Sequence, residues 1–275
     1  MTMALLEIDT LTKRFGGVLA LDRVSLTIED GQTVGLIGPN GAGKTTLFNC
    51  VTGLLQPTEG HVRFGRETVE SLAGLAPHQI AERGVARTFQ NIRLFTGMSV
   101  LENVMVGAHA RTHAGIFSAS LFTSEARREE RWTHDHALGL LGFMGLTERA
   151  HESAGTLPFG LQRRLEIARA LVSDPTLLLL DEPAAGLNPA EKQQLLGLIQ
   201  QLQARGLTIL LIEHDMQVVM PVSHRVVVLD YGKKIAEGAS VDIQRDPRVI
   251  EAYLGAPPPG PSSDKPDDER RFLWE

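Results

Sequence analysis

The stretch Gly38-Pro39-Asn40-Gly41-Ala42-Gly43-Lys44-Thr45-Thr46 constrains this chain more than any other, because it matches G-x-x-x-x-G-K-[ST]. Ahead of it, Thr33-Val34-Gly35-Leu36-Ile37 reads as a short buried strand; behind it, Thr46-Leu47-Phe48-Asn49 opens a helical pattern. Strand, glycine-rich loop and helix in that order gather backbone N–H groups and the positive end of a helix around one point. The glycines let the chain curl so that successive N–H groups face inward. Such a cradle takes a polyphosphate. Lys44 is placed to reach the β- and γ-phosphates, and Thr45 to set its hydroxyl on Mg²⁺.

The rest of the chain sets few limits on that chemistry. Its 275 residues, 43% of them apolar, are enough for a large packed core of one or two domains. A formal net charge of -6 disfavours a nucleic-acid partner, since no basic excess is present to neutralise phosphates. The single cysteine, Cys50, has no internal disulfide partner and fits a reducing compartment, with a buried core position as its expected place. The first residues, Met1-Thr2-Met3-Ala4-Leu5-Leu6-Glu7, lack the basic start and apolar run of a signal peptide. The longest apolar runs, Leu177 to Leu180 and Ile209 to Ile212, fall far short of the ~20 residues that span a bilayer. A role at a membrane then requires other chains to hold this one there.

In chain order, residues 5 to 30 read as two antiparallel strands, with Val24, Leu26 and Ile28 alternating before a turn at Asp30-Gly31. Phe15 lies upstream of the phosphate loop, where an aromatic either stacks on adenine or joins the core. His61-Val62-Arg63-Phe64 alternates like an edge strand, and Gly84 to Gln90 reads as a strand leading to a glutamine. Leu101 to Ala110 and Glu125 to Leu146 carry helical spacing, joined by a weakly apolar connection from Gly115 to Thr123. Residues 92 to 155 therefore read as a helical insertion in an α/β core. His109, His113, His134 and His136 within it lack the acidic or cysteine partner that would complete a metal site, so a solvated helix surface is expected.

The α/β pattern resumes with a helix from Leu161 to Val172, and Leu177-Leu178-Leu179-Leu180-Asp181-Glu182 then has the form of a buried parallel strand ending in two carboxylates. A helix over 190 to 205 precedes a second buried strand, Thr208 to Ile212, which ends in Glu213-His214-Asp215. Val226 to Leu229 and Lys234 to Glu237 flank Asp230-Tyr231-Gly232 and are expected to form a hairpin around it. Residues 256 to 275, rich in proline and charge, cannot build a core and are expected to be disordered.

The order of phosphate loop, Gln90, Leu157-Pro158-Phe159-Gly160-Leu161-Gln162, Leu177 to Glu182 and His214 resembles the nucleotide-binding subunit of an ABC transporter over roughly residues 4 to 255. It is most similar to the ATPase subunits of the branched-chain amino acid uptake family, on Arg87 to Phe95, Arg163 to Arg169, Pro183 to Pro189 and Ile212 to Met216. The resemblance implies a P-loop α/β core, with a mixed sheet flanked by helices and an antiparallel β subdomain, and a helical subdomain at about 92–155. Residues 1–255 would form this domain, about 224–255 its C-terminal hairpin and helix, and 256–275 a tail.

The resemblance also implies roles. Residues Gly38 to Thr46 and Phe15 would bind ATP; Asp181, Thr45 and Gln90 would serve Mg²⁺; Glu182 would polarise the attacking water. His214 would stabilise the transferring group, Lys44 would hold the phosphates, and Gln90 would sense the γ-phosphate. Gly160 would face ATP bound on a second ATPase subunit, identical or related, so that a head-to-tail pair holds composite sites. Further implied partners are two transmembrane permease subunits, docked on the insertion and Asn91 to Val100, and, indirectly, a periplasmic or extracellular solute-binding protein. The implied location is peripheral, on the cytoplasmic face of a bacterial inner membrane. The chain departs from the family at Pro158, usually serine, and Leu161, usually glutamine, and a weakened composite site is expected. Urea or another small solute is the alternative cargo. A soluble ABC protein acting on ribosomes or DNA is disfavoured by the single ATPase core and the absence of basic patches, and a non-hydrolytic regulator by Lys44, Gln90, Asp181, Glu182 and His214.

Overall fold

The computed structural model describes residues 4–108 and 124–254. The pair His109 and His113, the connection from Gly115 to Thr123 and the tail 256–275 lie outside the described residues. In chain order the elements are β1 (Ala4–Phe15), β2 (Val18–Glu29), β3 (Thr33–Ile37), α1 (Lys44–Val51), β4 (Glu59–Phe64) and β5 (Glu70–Ser71). There follow α2 (Pro77–Glu82), β6 (Val85–Arg87), α3 (Val100–Gly107), α4 (Ser124–Met144), α5 (Phe159–Leu171) and β7 (Leu177–Asp181). The last are α6 (Pro189–Ala204), β8 (Thr208–Ile212), α7 (Met216–Val222), β9 (Arg225–Asp230), β10 (Lys233–Gly238), α8 (Ser240–Ile243) and α9 (Pro247–Leu254). The described residues form two compact units, one from 4–75 and 199–254, the other from 76–198.

In the first unit, one antiparallel sheet has the order β2-β1-β4-β5. Leu6 sits opposite Ile28 on one side and Phe64 on the other, and Ile8 opposite Leu26 and Val62, so alternation puts these six apolar residues on one buried face. β4 was expected at an edge, but β5 pairs outside it through Arg63–Ser71 and Phe64–Glu70. Two residues are too short a strand to leave a periodic trace.

The unit's second sheet is mixed. β3 lies parallel to both β8 and β9, and β10 runs antiparallel to β9. Every residue of β3 and β8 is buried, as apolar strands covered on both faces must be. Ile37, at the end of β3, packs with Val219 of α7, Val226 and Val228 of β9, Ile243 of α8 and Val249 of α9, with Tyr253 at the margin. Each such side chain contributes roughly 2 kcal/mol on burial, so the strand feeding the phosphate loop is held rigidly.

In the second unit β6 and β7 pair in parallel, Val85 to Leu177 through Arg87 to Leu179. All five residues of β7 are buried, which leaves Asp181 at the end of an apolar strand. α3 begins with a reciprocal cap: Ser99 Oγ accepts from Glu102 N–H at 3.2 Å, and Glu102 Oε2 accepts from Ser99 N–H at 2.7 Å. Buried Asn103 accepts from Phe95 N–H at 2.9 Å and donates to Phe95 C=O at 3.0 Å, tying the segment before α3 to the helix. α4 and α5 pack on α3 and on each other, α4 contributing Ala137, Leu141 and Met144. α5 starts at Phe159 rather than at the expected Leu161, with Pro158 as its N-cap. Gly160 therefore lies inside the first turn, where backbone N–H groups still lack intrahelical partners.

Candidate functional site

The phosphate loop belongs to the first unit. Gly38 has φ +150°, and a Cβ there would lie 2.1 Å from the Leu229 carbonyl oxygen; at Gly43, φ +101°, it would lie 2.6 Å from that of Ala20. Both positions exclude a side chain. Gly43 is the N-cap of α1 and makes no side-chain cap hydrogen bond, so the helix N-terminus opens directly onto the glycine-rich loop. Lys44 Nζ donates to the carbonyls of Gly38 at 2.6 Å and Pro39 at 3.0 Å, which curls the ammonium back over the loop. Asn40, Gly41 and Thr45 are exposed, Pro39 and Thr46 half-buried, and Ala42 is buried beneath.

The turn between β9 and β10 braces the loop: Gly232 N–H donates to Ala42 C=O at 3.0 Å, and Gly232 C=O accepts from Asp22 N–H at 2.8 Å. From α9, the buried hydroxyl of Tyr253 lies beside the Gly38 backbone, and burial pushes its phenol up to about 12. Phe15, at the end of β1, is exposed, with the Lys13 ammonium 5.1 Å from its ring centroid. His214 is exposed just beyond β8, its N–H donating to the buried Glu213 carboxylate at 3.2 Å. Asp215, next in the chain, caps α7 through Gln217 N–H at 3.0 Å.

The second unit brings together Gln90, Asp181 and Glu182. Gln90 Nε2 donates to Glu182 Oε2 at 2.8 Å. Glu182 has φ +46°, a left-handed conformation that a residue with a Cβ adopts only under constraint and that concentrates at functional sites. The Asp181 carboxylate accepts from Arg87 at 2.7 Å, both side chains being nearly buried, and Asp181 N–H reaches Thr88 Oγ1 at 3.4 Å. Gly160 faces Glu191, whose Oε1 would lie 2.4 Å from a Cβ added there.

Sequence reasoning named the phosphate loop, Phe15, Gln90, Gly160, Asp181, Glu182 and His214 but gave no role to three residues that shape their surroundings. Arg87 neutralises Asp181, and Arg163 and Glu166 of α5 bind the backbone around Gln90. All three fall in stretches that carry the family resemblance, and for Arg163 and Glu166 the local signal is a pair of charges at i,i+3 on a helix.

In the first unit the glycine-lined loop, with the Thr45 hydroxyl on it, suits a polyphosphate. In the second unit the Asp181 carboxylate and the Gln90 side-chain carbonyl are hard oxygen donors of the kind Mg²⁺ prefers. Among the described residues no cluster of histidine, cysteine and acidic side chains forms a metal site of its own.

Comparison with known proteins agrees with this chemistry. A family model described as ABC transporter matches residues 21–185, and one described as branched-chain amino acid ATP-binding cassette transporter matches residues 233–257. The chain is 49% identical over 257 residues to the high-affinity branched-chain amino acid transport ATP-binding protein BraF of Pseudomonas aeruginosa, covering 93% of this chain and 99% of the relative. It is similar to a solved ATP-binding cassette of an ABC transporter in its ADP conformation, with TM-score 0.79 and 32% identity over 93% of this chain and 100% of that one. It is also similar to a dimeric cassette bound to ADP and Pi, with TM-score 0.71 and 26% identity over 86% of this chain and 98% of that one. The chain belongs to the ABC transporter family, among the ATP-binding subunits of its branched-chain amino acid branch.

Proposed function

We propose that this chain is the ATP-hydrolysing subunit that powers import of branched-chain amino acids through an ABC transporter. The observation that carries the reading is the 49% identity to BraF across nearly the whole of both chains. The site's geometry supports the chemistry. Phosphoryl transfer needs placement and charge neutralisation more than covalent catalysis, and these residues supply both.

In this reading the N–H groups from Gly38 to Thr46 cradle the phosphates of ATP, and Lys44 exchanges its two loop carbonyls for β- and γ-phosphate oxygens. Phe15 stacks on adenine. Thr45, Asp181 and Gln90 hold Mg²⁺, which when bound neutralises phosphate charge. Glu182 accepts a proton from the attacking water, held in orientation by Gln90, while His214 faces the γ-phosphate. Asp181 is kept in place by Arg87.

Gly160 presents its N–H to ATP on a second ATPase subunit, a homologue or another copy. The dimeric cassette bound to ADP and Pi supports pairing. Residues 1–255 make up the ATPase domain, about 92–155 its helical insertion, about 224–255 the C-terminal hairpin and helix, and 256–275 a tail. The insertion and Asn91 to Val100 dock two permease subunits, which are served by a solute-binding protein across the membrane. Among the described residues no helix is long and apolar enough to cross a membrane. The chain works on the cytoplasmic face of a bacterial inner membrane through those permeases.

The test is uptake of labelled leucine, with labelled urea in parallel, in cells whose only copy of the chain is wild type or Glu182→Gln. Loss of leucine uptake alone is expected. Loss of urea uptake with leucine uptake intact moves the cargo to urea, and retention of both removes leucine and urea as the cargo and moves it to another small solute.

A further inference from the structure

Arg163 is the largest fully buried side chain among the described residues, and Glu166, one turn on, is equally buried at 1% exposure. Two charges on the inner face of a helix demand partners. Arg163 Nη1 donates to Glu166 Oε2 at 2.8 Å and to Phe89 C=O at 2.9 Å, and Nη2 donates to Gln90 C=O at 2.9 Å. Glu166 Oε1 accepts from the N–H groups of Phe89 at 3.3 Å and Arg93 at 3.4 Å. Burial holds the Glu166 carboxyl above the usual carboxylate range, against the pull of Arg163.

The pair therefore spends its hydrogen bonds on one short segment, the backbone from Phe89 to Arg93 that carries Gln90. A buried ion pair is a weak route to stability, since apolar side chains of similar size often do as well. What this one adds is geometry. Its guanidinium takes two successive carbonyls and its carboxylate two N–H groups of the same segment, which fixes both the position and the orientation of the Gln90 backbone. Gly160 precedes Arg163 by one helical turn on the same helix. A displacement of Gln90 is thus handed to the N-terminal turn of α5 without an intervening flexible link.

We propose that Arg163 and Glu166 are positioning residues that lock the Gln90 segment to α5, so that Gln90 and Gly160 move together when nucleotide binds. The lock rests on the proposed role of Gln90 toward the γ-phosphate. Through it, occupancy of one site sets the pose of the N–H group offered to the other.

The test is steady-state ATPase kinetics of the full-length chain, with thermal melting as a check on folding. The variants are Arg163→Lys, which keeps Glu166 paired but replaces the two-pronged fork with a point charge, and the apolar pair Arg163→Met with Glu166→Leu. Each is made with and without Gln90→Ala. Should the apolar pair not fold, Arg163→Lys decides alone. The lock predicts that kcat falls by about fivefold or more while KM for ATP stays within about twofold. It also predicts that Gln90→Ala then adds less than about twofold, because the two changes disable one device. Retained kcat, or losses that multiply in full, overturn the lock and leave the role of Gln90 standing. If Gln90→Ala alone leaves wild-type kcat unchanged, the role of Gln90 falls first and the lock falls with it.

Discussion

Gln90 Nε2 and Glu182 Oε2 are joined by a 2.8 Å hydrogen bond, although the residues stand 92 positions apart in the chain. One partner leads out of the short strand β6; the other caps the buried strand β7 in a left-handed backbone conformation, φ +46°. The parallel pairing of the two strands sets this contact, and the amide aims the carboxylate. In the proposed role Glu182 is a general base, which must be aimed at its water before it can take a proton.

Glu182→Gln keeps the shape of the side chain and its contact with Gln90 but removes the capacity to take a proton. Expected are an ATP affinity within about threefold of wild type and a turnover lower by about 100-fold or more. Binding and single-turnover assays on the purified variant check both. Turnover near wild type removes Glu182 from its role.

Gly38 and Gly41 make a paired test of the phosphate loop. At Gly38 a Cβ would lie 2.1 Å from the carbonyl oxygen of Leu229, a backbone atom within β9 that cannot yield without breaking the sheet. At Gly41, φ +83°, nothing lies within 4 Å, so only backbone strain opposes a side chain. Gly41→Ala is expected to cost about 1 kcal/mol of stability and Gly38→Ala about 3 kcal/mol or more. Urea unfolding of the two variants measures the difference, and equal costs would show that the loop accommodates the Gly38 clash by moving.

These contrasts show where sequence was legible. The phosphate loop is written in consecutive residues, so its chemistry survives without any knowledge of partners. The same holds for the buried strands Leu177 to Asp181 and Thr208 to Ile212, whose apolar runs have few other fates. What was hidden depends on distant partners. Arg87 meets Asp181 across 94 positions, and no local pattern distinguishes it from a solvated arginine. Nothing local separates Arg163 and Glu166 from an ordinary helical ion pair, because burial of a charge leaves no mark in composition. The strain at Glu182 is a property of φ, to which a motif is blind.

Cys50 offers a pH prediction. Burial pushes its thiol from an ordinary 9.0 up to about 11, with Lys13 pulling weakly the other way. The raised value means that the folded chain holds the proton more tightly than the unfolded one. The resulting stability is intact below pH 9.0 and is lost as pH climbs to about 11. At pH 8 the folded thiol carries about 100-fold less thiolate than an unfolded one, so iodoacetamide should label native protein at least that much more slowly. Labelling at the same rate in native and urea-unfolded protein would place Cys50 outside the core.

The last prediction concerns the start of α5. Pro158 is its N-cap and has no side chain that can accept a hydrogen bond; its carbonyl takes the N–H groups of Leu161 at 2.9 Å and Gln162 at 3.0 Å. Gln162 is no substitute for a glutamine at 161, because its Nε2 is turned back onto the Leu157 carbonyl at 2.9 Å. In the proposed pairing, the first turn would therefore offer a partner's γ-phosphate the N–H of Gly160 and the helix dipole, but neither a serine hydroxyl nor an amide. Restoring both with Pro158→Ser and Leu161→Gln is expected to strengthen ATP-driven dimerisation and raise turnover by about threefold or more. The serine alone will also stabilise the helix by about 1 kcal/mol as an N-cap. Dimerisation must therefore be compared with the single variant Pro158→Ser, using sedimentation at matched ATP. A gain confined to thermal stability, with turnover and dimerisation unchanged, would mean that Gly160 and the dipole already suffice.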